Sequence, residues 1–186
     1  LSGFLAVDLY DHAPHQYVGS DEIHVTVPPE GLSNFDFPMQ KANCYITGKV
    51  SRSDSGAGLP GWEIDIMTEQ TQEELDVLTF SVEDGRYGVG VVAGTWRVAI
   101  DEEELAYAAG LIPPAPQYVT IASGQVLNDI DLVLRVPTAS IQVTVVDSQQ
   151  NPVSDVWIWI NDENWNYLGG RETDDEGKCT LGVVAG

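Results

Sequence analysis

The chain has 186 residues, 43% of them hydrophobic, with 29 acidic against 8 basic side chains and a formal charge of -21. That apolar content is too high for a disordered acidic tail, so the chain is expected to fold. A surface this negative argues against nucleic acid and anionic membranes as partners and suits a protein bathed in cations, calcium in particular; no apolar run approaches membrane-spanning length, so membrane insertion is not expected.

Read from the N-terminus, Leu-Ser-Gly-Phe-Leu-Ala-Val-Asp at 1–8 parallels Thr-Trp-Arg-Val-Ala-Ile-Asp at 95–101. His12 and His15, with Asp8 and Asp11, offer transition-metal ligands in one short stretch, a pattern that an acidic surface loop also yields by chance. Leu32, Phe35, Phe37 and Met39 return as Leu127, Ile130, Leu132 and Leu134, a shift of about 95 residues. The shift continues from Ile46 to Ile141 and, nearly unchanged, from Ile64 and Ile66 to Ile158 and Ile160. Gly-Val-Val-Ala-Gly at 90–94 returns at 182–186. Small drifts in the shift are insertions or deletions in surface turns between fixed strands.

Within the repeat the periodicity is that of strands. Ile46, Gly48 and Val50 alternate with Thr47 and Lys49; Trp62, Ile64 and Ile66 alternate with Glu63 and Asp65; Tyr87, Val89 and Val91 alternate with glycines; Trp96, Val98 and Ile100 alternate with Arg97 and Ala99. Each pattern predicts a strand with one apolar face and one open face. Turn signals separate them at 53–61, at Asp84-Gly85 and at Gly124-Gln125. Residues 101–110, with Glu-Glu-Glu-Leu-Ala-Tyr-Ala-Ala, form the helical candidate. Seven or so short strands in about 95 residues is the rhythm of an immunoglobulin-like β-sandwich, so the expected fold is all-β, a tandem array of such repeats. Residues 1–40 read as the C-terminal half of a repeat, 41–137 as a complete repeat and 138–186 as the N-terminal half of another. A repeat that stops mid-unit leads us to expect a segment of something longer.

The order Ile-Thr-Gly-Lys-Val at 46–50, Gly-Leu-Pro-Gly at 58–61, Glu-Asp-Gly-Arg-Tyr at 83–87 and Ala-Gly-Thr-Trp-Arg-Val at 93–98 resembles the carboxypeptidase regulatory-like domain. The pattern recurs from Ile141 to Val145, in Asn-Pro-Val at 151–153 and in Asp-Glu-Gly-Lys-Cys at 175–179. The resemblance implies a transthyretin-like (prealbumin) sandwich of the kind found in tandem in large prokaryotic surface proteins, hence an extracellular or cell-surface location. It brings no active site, because the zinc carboxypeptidases beside which the module was first described carry their catalytic residues in another domain. Related CnaB-type domains form stalks, some with an isopeptide bond from a lysine to Asn or Asp. Lys49 lies on the corresponding strand, but alternation points it away from Ile46 and Val50, and its counterpart is Thr144; an exposed surface lysine is the reading taken. These motifs specify a fold, and a fold is not a function.

The two copies differ most on one strand. Glu63 and Asp65, expected on its solvent side, are replaced by Trp157 and Trp159, while Val156, Ile158 and Ile160 hold the core positions. Both indoles are therefore expected to project from the outer face, joined by Trp165 and Tyr167 of the next segment. An exposed aromatic patch marks a contact surface, whether for an adjoining repeat of the same chain, for another copy, or for the stacked sugar rings of a polysaccharide.

Hard oxygen ligands of the kind calcium takes cluster in the turns at 173–177, with Asp174, Asp175 and Glu176, and at 161–164, with Asp162 and Glu163. Neither has EF-hand spacing, and Asp, Asn and Gly are turn residues in any case. Cys179 takes the place of Tyr87 and Cys44 shares the face of Ile46, so both read as small buried apolar residues. The sequence has no Gly-x-Ser-x-Gly elbow, phosphate-binding glycine loop or His-Glu-x-x-His helix, so no catalytic residue is assigned. A half-sandwich exposes sheet edges and an apolar face and is not stable alone. The expected function is a non-catalytic structural segment of an extracellular filament, stalk or adhesin, its half-units completed by adjoining chain or by a neighbouring copy. The alternative is a carbohydrate-binding module appended to a secreted hydrolase.

Overall fold

The computed structural model describes residues 2–5, 17–18, 23–36, 39–68, 76–100, 109–163, 165 and 167–185. The helical candidate falls mostly on residues 101–108, outside the described residues; 109–110 form a turn with Gly110 at φ 67°.

The alternating segments of the middle of the chain become two facing sheets. In the first, β5 (Cys44–Arg52) lies between antiparallel β8 (Arg86–Val91) and two short parallel partners, β11 (Val126–Leu127) and β12 (Leu132–Leu134). In the second, β6 (Glu63–Thr68) lies between β7 (Asp76–Phe80) and β9 (Gly94–Ile100), with β10 (Gln117–Ile121) beyond β9. Ile46, Val50, Val89, Leu132 and Leu134 of the first sheet meet Ile64, Ile66, Trp96, Val98 and Ile100 of the second in one core. Trp96 is fully enclosed, and its indole N–H donates to the Val92 carbonyl at 2.9 Å, which removes the cost of burying that donor.

One face departs from the alternation. Glu63 and Asp65, expected to face solvent, are buried. Since β6 has a strand on each side, the side chains of Leu78 and Arg97 flank the carboxylates on the outer face, and Arg97 pairs with Asp65 at 2.8 Å. Alternation assigns a residue to a side of a sheet; it does not say what lies over that side.

The rest of the chain reuses these pairings. β13 (Ala139–Thr144) and β16 (Lys178–Val183) pair antiparallel in the register of β5 and β8, with Ile141 opposite Leu181 where Ile46 is opposite Val89. β14 (Trp157–Asn161) and β15 (Tyr167–Glu172) repeat the register of β6 and β7, with Ile158 opposite Arg171 where Ile64 is opposite Thr79. At the other end β1 (Ser2–Leu5) and β3 (Ile23–Thr26) pair antiparallel, as β9 and β10 do, and β2 (Tyr17–Val18) pairs with β4 (Gln40–Lys41).

A hydrogen-bonded clip is duplicated as well. The Ser81 hydroxyl donates to the Leu59 carbonyl at 2.7 Å and accepts from the Trp62 N–H at 2.9 Å; Thr173 does the same with Val153 and Val156 at 2.9 and 3.1 Å. The turn glycines Gly85 and Gly177 both have positive φ, and a Cβ on either would strike the carbonyl oxygen of Val50 or Val145, so neither admits a side chain.

Candidate contact surface

The β14–β15 ribbon carries the aromatic residues. Trp157 and Trp159 alternate with Ile158 and Ile160 and stand on the outer face, Trp159 with 60% of its surface exposed. Across the ribbon, Glu172 faces Trp157 and Gly170 faces Trp159. A Cβ on Gly170 would lie 2.7 Å from both the Trp157 Nε1 and the Tyr167 hydroxyl. The missing side chain is thus a hollow into which the edge of the indole and the tip of the phenol lean, and Trp157, Trp159 and Tyr167 share one surface around it. Trp165 stands in the turn between the two strands, 83% exposed and at φ 65°, where its N–H donates to the Asp162 carbonyl at 3.1 Å. Sequence reasoning named the four aromatics, which the structure places on this ribbon and its turn, and missed Gly170. Its signal was a glycine pair inside a strand, which marks a close approach.

Comparison of the copies shows how the outer face was rebuilt. Glu63 opposite Phe80 becomes Trp157 opposite Glu172, an acid and an aromatic exchanged across the pair, and Asp65 opposite Leu78 becomes Trp159 opposite Gly170. In the second pair the position facing the larger side chain carries none, and the space is taken by the Trp157 indole and the Tyr167 hydroxyl.

The calcium candidates serve as turn residues. Asp174 Oδ1 accepts from the N–H groups of Glu176 and Lys178, each at 2.9 Å, and the Lys178 ammonium pairs with Glu176 at 2.7 Å. Asp175 and Glu163 are exposed, and Asp162 supports the Trp165 turn through its carbonyl. Among the described residues no three His, Cys, Asp or Glu side chains converge as ion ligands. His12, His15, Asp8 and Asp11 lie outside the described residues. Cys44 and Cys179 are free and buried. The Lys49 ammonium donates to the Gly56 carbonyl at 3.1 Å, while its backbone N–H donates to Asp131 at 2.9 Å.

A second candidate surface is formed by sheet edges. Among the described residues, β13 has no partner strand on the side away from β16, nor β14 on the side away from β15. Ile141 is 44% exposed where its equivalent Ile46 is wholly buried. At the other end Leu32 is 47% exposed and Phe35 is exposed too, whereas their equivalents Leu127 and Ile130 pack against the core. A cleft of about 630 Å³, lined by Val143, Arg171, Glu172 and Cys179 among others, opens between β15 and the β13–β16 ribbon.

No protein-family model and no curated protein matches the sequence. Among solved structures, the chain is similar to a Streptococcal ancillary pilin, with 11% identity over 99% of this chain and 63% of the pilin and a TM-score of 0.41. It is similar also to the Bacillus anthracis TIE protein, with 15% identity over 90% of this chain and 34% of that protein and a TM-score of 0.40. A third is the shaft pilin spaA from Lactobacillus rhamnosus GG, with 10% identity over 78% of this chain and 83% of the pilin and a TM-score of 0.38. The chain spans less than two thirds of the first two.

Proposed function

We propose that the chain is a non-catalytic structural segment of an extracellular filament or cell-surface stalk, built of tandem transthyretin-like sandwiches in which the half-units at 1–40 and 138–186 are completed by an adjoining repeat or a neighbouring subunit. The observation that carries the reading is the exposure of Ile141, whose repeat equivalent Ile46 is core, and of Leu32, whose equivalent Leu127 packs against the core. Apolar residues placed at core positions and left open are the mark of a surface awaiting its partner. The resemblance of residues 46–98 to a module of prokaryotic surface proteins supports the location. Electron microscopy of the purified chain, with and without calcium chelation, tests the reading: regular filaments or head-to-tail arrays with an axial repeat of one or two sandwiches support completion by a neighbouring subunit, whereas single particles in both conditions would sink the filament and favour a stalk or an appended module.

The exposed indoles on the outer face of the ribbon, with Tyr167 packed beside Trp157 over Gly170, favour a second reading, a module that stacks sugar rings on Trp157, Trp159 and Tyr167, with Trp165 at the rim. Titration with soluble polysaccharides checks it through tryptophan fluorescence: saturable quenching that is lost in Trp157→Ala supports the module, and a flat titration removes it.

A further inference from the structure

The joint between repeats is one device used twice. Val18 of β2 pairs antiparallel with Gln40 of β4, and about 95 residues later Ile112 pairs antiparallel with Arg135. The Ile112 N–H donates to the Arg135 carbonyl and the Arg135 N–H to the Ile112 carbonyl, each at 2.8 Å. A short strap of one repeat is thus stitched to the segment through which the chain passes into the next. In both copies the apolar strap residue is buried. Val18 is fully enclosed within the core of the middle sandwich, where β2 lies against β8. Ile112 is 2% exposed yet stands outside that core. With Leu111, Pro137 and Leu181 it lines a cavity of about 150 Å³ against β16, the repeat equivalent of β8. We propose that each strap plugs the side of the following sandwich, so that successive repeats are locked at a fixed angle and each helps to close the core of its neighbour.

The chain between the sandwiches has no slack. The Leu134 carbonyl accepts from the Ser53 N–H at 2.9 Å, Arg135 is bonded to Ile112 through both of its backbone groups, and the Val136 N–H donates to the Ser53 hydroxyl at 3.2 Å. Pro137 has a fixed φ and sits on Gly182, where a Cβ would fall 2.6 Å from the proline Cγ. The Thr138 N–H donates to the Val183 carbonyl at 2.9 Å, and its hydroxyl accepts from the Ala185 N–H at the same distance. The entry to the middle sandwich matches, since the Asn43 N–H donates to the Val91 carbonyl at 3.0 Å. Domains in tandem move relative to one another by default, and a hinge needs residues free to change φ and ψ. Here residues 134–136 are bound to the middle sandwich and 137–138 to the next, with no free residue between them. The joint therefore transmits orientation without a broad interface, whether the array serves a filament or an appended module.

Two measurements on the whole chain test the lock. Spin labels on Glu83→Cys and Asp175→Cys, both exposed and outside the joint, report the separation of the two sandwiches, the native cysteines being buried. One narrow distance distribution is expected, and it should broaden when Arg135→Pro removes the N–H that bonds Ile112. Hydrogen exchange then asks whether the strap supports the sandwich that follows. Ile112→Ala should speed exchange of the β16 amides by more than about tenfold while those of β5 and β8 keep their protection. A broad distribution in the parent protein, or a narrow one that Arg135→Pro leaves unchanged, overturns the proposal. So does β16 exchange that is indifferent to Ile112→Ala, a result that stands even where Arg135→Pro fails to fold.

Discussion

Gly48 has no room for a methyl group. A Cβ there would fall 2.0 Å from the Ile130 carbonyl oxygen and 2.8 Å from the Tyr87 ring. Neither neighbour is free to retreat, because the Tyr87 hydroxyl donates to that same oxygen at 2.5 Å and the Ile130 N–H donates to the Thr47 carbonyl at 3.1 Å. Gly48→Ala should therefore destabilise the chain by about 3 kcal/mol, measured by denaturant unfolding, with retained stability the outcome that contradicts it. In the other copy the facing pair Gly48 and Tyr87 becomes Val143 and Cys179, so bulk moves from one strand to the other. Burial, with a smaller push from the Asp131 carboxylate, holds the Tyr87 phenol above its usual value. The folded state thus prefers the protonated phenol. Its contribution is complete below the unfolded value of about pH 10 and is lost as pH rises from there toward the folded one. Tyr87→Phe should flatten this alkaline loss of stability while costing about 1 kcal/mol at neutral pH. Trp165 is the opposite case: a bulky, exposed side chain at positive φ contributes strain and little burial. Trp165→Gly should raise stability by about 1 kcal/mol, and if it does, the indole is there for contact rather than for folding.

At the scale of elements, the strands were legible in the sequence because period-two alternation is imposed by the core: Ile46 and Val50, Ile64 and Ile66, and Val89 and Val91 all face inward. The repeat shift is kept in the β13–β16 and β14–β15 pairings, since indels confined to turns leave strand register intact. What alternation could not carry was the environment of outward positions. Glu63 and Asp65 were assigned to the open side correctly as to direction but not as to burial, which depends on the flanking strands β7 and β9. The Gly170 hollow was hidden for a related reason: it exists only once Trp157 and Tyr167 converge across the ribbon. Gly170→Ala should push both rings aside, shifting tryptophan emission while the far-ultraviolet dichroism stays that of a β protein; an unchanged emission would show that the hollow does not set the platform.

For the molecule as a whole, the formal charge of -21 is carried on an all-β body with few basic groups to balance it. Self-repulsion of that size weakens both the compact state and any association between copies. Raising salt from about 0.01 M to about 0.15 M shortens the screening length from about 30 Å to about 8 Å, so the melting temperature and the fraction assembled should both rise. A melting temperature indifferent to salt would mean that the carboxylates are already compensated locally, as Asp65 is by Arg97.

The parallel pairing of β5 and β12 has one more consequence. A pull on the chain from both sides draws β5 by its first residue and β12 by its last, in opposite directions along the strands. The load then falls on the connecting hydrogen bonds together, in shear, instead of peeling them apart one at a time. Such a sandwich resists stretching far better than its equilibrium stability suggests, since forced rupture is governed by the unfolding barrier.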